Sequence, residues 1–259
     1  MTDPLKRYDL FGWDYAKYSP LGEAEAGWYL SRALETGGPV LGLACGTARL
    51  LCKLAEAGFE TVGIDLSETM LAIARRNVEA LAPETRSRVT LVRGDMSAFD
   101  LARKFGQIHV ADNSLRELAT RDEMLVCLRC VRAHLAPGGR FLMAERRFNP
   151  AMYPNGRREF GWSDPLANPL TGDTFRRRGV IDLAPDMKSL RGEFIYEVTR
   201  PDGSFAVERC PFHSVILRME DYLSLFATAD LVAEAFADYT GRPADGTEKI
   251  TCFVSEARA

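Results

Sequence analysis

The chain is predicted to fold as a doubly wound α/β domain interrupted by an antiparallel β insert. Three observations carry this prediction. From residue 40 onward, apolar runs of four or five residues alternate with amphipathic stretches of helical period, the pattern of parallel strands joined by crossover helices. Small or polar residues at 44–48, 65, 95–96 and 112–114 close the first four runs, so they gather at the carboxyl ends of strands, where open α/β sheets bind ligands. From about Phe148 the rhythm breaks into segments punctuated by Pro and Gly.

Residues 1–38 are an aromatic-rich lead-in that includes Tyr8, Phe11, Trp13, Tyr15, Tyr18, Trp28 and Tyr29. Trp28 and Tyr29 read as helix-core packing. The first predicted strand is 40–43. The helix after it is expected to start near Thr47, with Leu50, Leu51, Leu54 and Ala57 on one face and Gly58 as its stop. The second predicted strand is 61–64. Ser67 is a good N-cap for the next helix, whose inner face is Met70, Leu71, Ala74 and Val78. Strands are expected at 89–92 and 108–111, a helix at 121–135, and a fifth strand at 140–144 after the turn Pro137-Gly138-Gly139. Three alternating segments, 174–182, 189–199 and 205–217, make the insert, with Arg200-Pro201-Asp202-Gly203 as a turn. A helix at 219–228 and strands at 231–237 and 250–255 complete the core. The expected domains are an N-terminal lid over 1–38, a core over 39–147 and 218–259, and the insert over 148–217 as a substrate cover.

Composition narrows the partners. Hydrophobic residues are 46% and charged residues 27% of 259, the profile of a globular protein. A net charge of −3 supplies no global basic field, so no nucleic-acid partner is expected. No run approaches the ~18 apolar residues of a membrane span, and the N-terminus lacks the apolar centre of a signal peptide. The expectation is a cytoplasmic protein, monomeric or homodimeric. The six cysteines are scattered. Cys127 and Cys130 form the only C-x-x-C, on a helical segment with no second pair or His cluster, so free thiols and no metal centre are expected.

The run Val40 to Leu50 followed by Asp65 carries the functional signal. A strand, a turn of small residues, a helix and a second strand ending in a carboxylate make a site for a ribose-bearing cofactor. Small residues let the backbone approach the ligand, and the carboxylate accepts from ribose hydroxyls. The small residues fall at Ala44, Gly46 and Ala48, spaced by two, which is not the G-x-G-x-x-G of a dinucleotide turn. The turn holds no lysine, which excludes a P-loop.

This turn, Gly63-Ile64-Asp65-Leu66-Ser67 with Met70-Leu71, Gly94-Asp95-Met96, Asp112-Asn113-Ser114-Leu115 and Leu135-Ala136-Pro137-Gly138-Gly139 occur in the order and spacing of a known family. In these the chain resembles small-molecule class I S-adenosylmethionine (SAM) methyltransferases from end to end, nearest the branch of glycine N-methyltransferases and aminosugar N,N-dimethyltransferases. The resemblance implies a Rossmann-like seven-stranded sheet of order 3-2-1-4-5-7-6 with strand seven antiparallel, and SAM as cofactor. It implies that Ala44, Cys45 and Gly46 lie against the methionine part, whose carboxylate meets backbone amides and the helix N-terminus. Asp65 would bind both ribose hydroxyls, and Leu66 and Met70 would pack on the adenine. Asp95 would accept from the adenine amino group, and the Met96 amide would donate to a ring nitrogen. Asn113 and Ser114 would sit beside the sulfonium and the acceptor. Tyr8, Trp13, Tyr15 and Tyr18 are candidates to close over the sulfonium cation, Tyr15 among the cofactor contacts.

The chain departs from the family at three places. Gly42 stands where an acid is usual. Ala44 and Ala48 replace glycines and are expected to be accommodated at negative φ. Glu117 replaces the histidine of an Asn-Ser-x-x-His-Leu pattern, which leaves proton handling to Glu117 or to His213 on the insert. The implied function is SN2 methyl transfer to a small-molecule acceptor, nitrogen favoured by the branch resemblance. Transfer to a carboxylate or hydroxyl oxygen and a non-catalytic scaffold of the same fold stay open. An NAD(P)-linked oxidoreductase is disfavoured by the missing pyrophosphate turn. Arginines at 146, 147, 157, 158 and 176–178 are candidates to gather an anionic substrate.

Overall fold

The protein is described by a computed structural model over residues 6–12, 20–168 and 171–258. It comprises two compact units, one of residues 21–147 with 217–259, the other of residues 1–20 with 148–216. In chain order the elements begin with α1 (Lys6–Phe11), α2 (Glu23–Thr36), β1 (Val40–Leu43), α3 (Arg49–Glu56), β2 (Thr61–Asp65), α4 (Glu68–Glu79) and α5 (Pro83–Arg86). They continue with β3 (Val89–Arg93), β4 (Phe105–Val110), α6 (Arg121–His134), β5 (Leu135–Arg146), β6 (Arg157–Phe160) and β7 (Leu166–Ala167). The last are β8 (Thr174–Leu183), β9 (Ser189–Thr199), β10 (Phe205–Val215), α7 (Met219–Thr228), β11 (Leu231–Ala237) and β12 (Ile250–Ala257). None of the described helices is long and apolar enough to cross a membrane.

The larger unit is built on a seven-stranded sheet of order β3-β2-β1-β4-β5-β12-β11. The first four pairings are parallel, and β12 is antiparallel to both neighbours. This is the order and the single reversed strand that the resemblance implied. Every residue of β1 and β4 is buried, as a central strand covered on both faces requires. On one face Trp28, Tyr29 and Ala33 of α2 pack with Val40, Leu50, Leu54, Leu142, Ala144, Cys252 and Val254. On the other, Phe226 of α7 meets Phe141 and Phe253 at centroid distances of 6.0 and 5.5 Å. Local signals set the helix starts. The Ser67 hydroxyl accepts from the Met70 amide at 3.2 Å, and Thr120 with Glu123 forms a capping box on α6.

Four expectations are corrected. Helix α3 begins at Arg49 rather than Thr47, because Ala48 is left-handed (φ 60°) and cannot continue a helical turn. Strand β4 runs from Phe105, three residues early, since Gln107 is wholly buried within the sheet despite its polarity. Pro137-Gly138-Gly139 is an irregularity inside a longer β5, where the pairing shifts from Leu135 opposite Phe105 to Arg140 opposite Gln107. The N-terminal segment 1–38 is not one piece. Helix α1 groups with the insert, and α2 is part of the sheet unit through its buried Trp28 and Tyr29.

The smaller unit is an antiparallel sheet of order β10-β9-β8-β6, with β7 also on β8. Strands β6 and β7 were not predicted, being too short to show alternation. Phe175, Tyr196, Val198 and Cys210 form its core, joined by Leu10 of α1. The predicted anion-gathering arginines have internal partners here. Arg176 pairs with Glu197 at 2.6 Å, and Arg157 pairs with Asp182 at 2.7 Å. Arg176 and Arg178 lie over the Trp162 ring, at 4.7 and 5.0 Å, and Arg177 lies 5.2 Å from the Phe194 centroid.

Candidate active site

The turn between β1 and α3 is left-handed at three alternate residues: Ala44 (φ 48°), Gly46 (φ 56°) and Ala48 (φ 60°). The expectation of negative φ at the two alanines is therefore wrong. Alanine adopts this conformation at a cost that glycine would avoid. A Cβ at Gly46 would also come within 3.3 Å of the Met70 methyl. The Cys45 amide donates to the Ile64 carbonyl at 2.9 Å, fastening the turn to β2. The Cys45 thiol is pushed well up, first by burial and then by Asp65, so it is no nucleophile.

Asp65 ends β2 directly across from this turn. Its Oδ2 accepts from the Gly46 amide at 2.7 Å and its Oδ1 from the Ser67 amide at 2.9 Å. Burial pushes Asp65 up, while the amides of Ser67, Gly46 and Leu66 pull it back. A carboxylate has about four lone-pair sites, so two amides leave capacity for further donors. Leu66, the next residue, is 41% exposed, an apolar surface beside the carboxylate. Met70 is buried. At the end of β3, Gly94 donates to the Asp65 carbonyl, and Asp95 Oδ1 accepts from both the amide and the hydroxyl of Ser97. Met96 is buried beside it.

Past β4 the chain turns through two more left-handed residues, Asp112 (φ 53°) and Asn113 (φ 62°). Asn113 Oδ1 accepts from the Arg146 amide at 2.5 Å, which locks the loop to β5. Ser114 begins a single 3-10 turn that ends at Glu117. Glu117 is exposed and close enough to Asp65 to raise it further, so the two carboxylates share one side of the site. Ala44, Cys45, Gly46, Asp65, Leu66, Met70, Asp95, Met96, Asn113, Ser114 and Glu117 thus all lie in the larger unit, on segments at the carboxyl ends of β1 to β4. His213 is not among them. It is an exposed residue of β10 in the smaller unit, opposite Arg191. Tyr8 is on α1 in that unit, and Trp13, Tyr15 and Tyr18 lie outside the described residues.

Two polar groups escaped sequence reasoning. Glu145, at the end of β5, is 4% exposed and lies 2.9 Å from Arg116 Nε. Burial raises it to about 7, against the opposing pull of Arg116 and of the nearby Tyr222 phenol. Glu25 of α2 meets Tyr239, Asp112 and Arg49. No spacing signals either group, because their members come from three or four separate segments.

Residues 40–139 match the family described as methyltransferase domain. The chain is similar to a dTDP-3-amino-3,4,6-trideoxy-alpha-D-glucopyranose N,N-dimethyltransferase of Streptomyces venezuelae, 34% identical over 60% of this chain and 62% of that one. It is also similar to a dTDP-3-amino-3,6-dideoxy-alpha-D-glucopyranose N,N-dimethyltransferase of Streptomyces fradiae, 29% identical over 75% and 70%. Across its first curated relatives the match spans 43% to 70% of their length. Among solved structures it resembles the sugar N-methyltransferase KedS8 from Streptoalloteichus sp ATCC 53650, with a TM-score of 0.71, 25% identity, and coverage of 97% of this chain and 93% of that one. The donor set fits SAM: a carboxylate with spare acceptor capacity, an exposed leucine beside it, and a turn whose backbone at Gly46 faces no side chain closer than Met70. With these strand ends and this match, residues 40–139 of the chain are a methyltransferase domain of the SAM-dependent class.

Proposed function

We propose that the whole chain is a SAM-dependent N-methyltransferase of a small-molecule amine, with an amino sugar as the favoured class of acceptor. The observation that carries the reading is Asp65 bridging the Gly46 and Ser67 amides next to exposed Leu66, which supplies a ribose acceptor and an apolar neighbour in one place. Nitrogen is favoured by the relatives named for N,N-dimethyl transfer to amino sugars. SAM supplies a methyl group already activated on a sulfonium. The chain therefore needs no nucleophile of its own, in keeping with the suppressed Cys45 thiol. Its residues hold and orient: Asp65 and the left-handed turn take the nucleoside and the methionine part, Asp95 and Met96 the adenine, and Asn113 and Ser114 border the acceptor. Positioning of this kind contributes up to ~7–11 kcal/mol. The amine attacks in its neutral form, and we assign to Glu117 the proton that the product nitrogen releases. Specificity for the acceptor is assigned to the unit containing 148–216. We place the protein in the cytoplasm, as a monomer or homodimer with no nucleic-acid partner.

The test is calorimetric titration of SAM and S-adenosylhomocysteine, with Asp65→Ala as control, followed by mass-spectrometric screening of amino sugars for a methyl gain. Binding by the wild type that the variant loses supports the reading. Absence of binding by the folded wild type refutes it.

A further inference from the structure

We infer that Glu25, from helix α2, is the residue that holds the ammonium end of the cofactor's methionine part. The inference rests on the cofactor reading above and extends it to a residue outside the 40–139 match.

Strand β1 has no room for an acid. A Cβ on Gly42 would stand 2.9 Å from His109 Nε2 and 3.1 Å from Leu51 Cδ2, so the imidazole and the leucine fill the place of any side chain there. A carboxylate for the ammonium must come from another segment, and α2 offers one. Glu25 is in its first turn and half-buried, and the nearby Tyr239 phenol and Gly22 amide both favour its ionised form. The charges it feels are Asp112 and Arg49. Asp112 follows β4, Arg49 opens α3 straight after the left-handed turn, and Tyr239 follows β11, which runs parallel to β5. All three positions lie at the carboxyl edge of the sheet, on the side of the turn assigned to the methionine part.

A second, independent observation points to a ligand. Tyr29 is wholly buried and its hydroxyl has no hydrogen-bond partner among the described residues; burial first, then the nearby Tyr239, Glu25, Cys252 and Asp112, hold it in its neutral form. Buried hydroxyls are ordinarily satisfied. The Trp28 ring lies 6.0 Å from that of Tyr239, so aromatic faces join the group. Two carboxylates, a guanidinium and phenols in one place suit a zwitterion, with the ammonium toward Glu25 and Asp112 and the carboxylate toward Arg49 and the start of α3. Burial and Asp112 both push Glu25 up, and a bound cation would relieve both.

The experiment compares two nucleosides. 5′-Methylthioadenosine shares the nucleoside and thioether of S-adenosylhomocysteine but lacks the amino-acid end. Glu25→Gln keeps the length of the side chain and an acceptor oxygen, and removes only the charge. It should weaken S-adenosylhomocysteine about 10- to 100-fold, the weight of a charge-assisted bond, and change methylthioadenosine by less than about two-fold. The ratio of the two affinities cancels any loss of folded protein. Tyr239→Phe, which keeps the ring but removes the donor, should lower the same ratio by a smaller factor. An unchanged ratio in Glu25→Gln, with normal binding by the wild type, overturns this inference alone. Failure of the wild type to bind either nucleoside overturns the cofactor reading as well.

Discussion

Replacing Ala44 with glycine should stabilise the protein, and replacing Ala48 should not. Both alanines are left-handed, at φ 48° and 60°, a conformation that costs an L-residue ~1–2 kcal/mol. Glycine removes that cost but adds ~0.4–1 kcal/mol of freedom to the unfolded chain. At half-buried Ala44 little packing is lost, so the balance favours Ala44→Gly by about 0.5–1 kcal/mol. Ala48 is fully buried against Leu51 and Ala74, and deleting its methyl forfeits a further ~0.8 kcal/mol plus the space left behind. Ala48→Gly should therefore be neutral or slightly destabilising. Thermal and urea denaturation of both variants beside the wild type decides this, with an upward shift of about 2 °C for Ala44→Gly. A lower midpoint for Ala44→Gly would refute the left-handed assignment. So would equal effects at the two positions.

Other outcomes follow from the same geometry. Burial raises Glu145 from the ordinary 4.5 to about 7. The native state therefore holds a proton that the unfolded chain releases, and the contribution is complete below about pH 4.5 and lost as pH rises through 7. At ~1.36 kcal/mol per unit the loss by pH 8 is about 3 kcal/mol. Glu145→Gln should flatten the fall in midpoint between pH 5 and pH 8, and a wild-type slope in the variant would contradict the assignment. Gly42→Ala should cost ~1–3 kcal/mol by overpacking against His109 and Leu51, read as a lower urea midpoint, and unchanged stability would mean that the imidazole has room to move. Thr120→Ala should cost ~1 kcal/mol through loss of the α6 cap while leaving S-adenosylhomocysteine affinity intact, since the Thr120 side chain bonds with Glu123, which is not among the proposed binding residues.

The division between legible and illegible features runs along sequence distance. Val40–Leu43, Thr61–Asp65 and Leu231–Ala237 were readable because a strand buried in a sheet must be apolar over a short continuous stretch. The Ser67 cap was readable because its bond spans three residues. The tie between Asp65 and Gly46 was inferable because strand, turn, helix and strand follow one another without a gap. Four residues of β6 and two of β7 were too few to show a period. The left-handed alanines looked like ordinary substitutions, since residue type alone does not report φ. Glu25 meets Tyr239 across more than two hundred residues, and Glu145 meets Arg116 and Tyr222 from three elements. The sequence by itself determined the order of strands and helices and the class of cofactor, because short apolar patterns fix each element and the order and spacing of the motifs carry the family resemblance. Only the tertiary structure decided the strain in the turn, the loss of side-chain space at Gly42 and the charges gathered around Glu25, because packing and electrostatics act through space between segments that the chain keeps far apart.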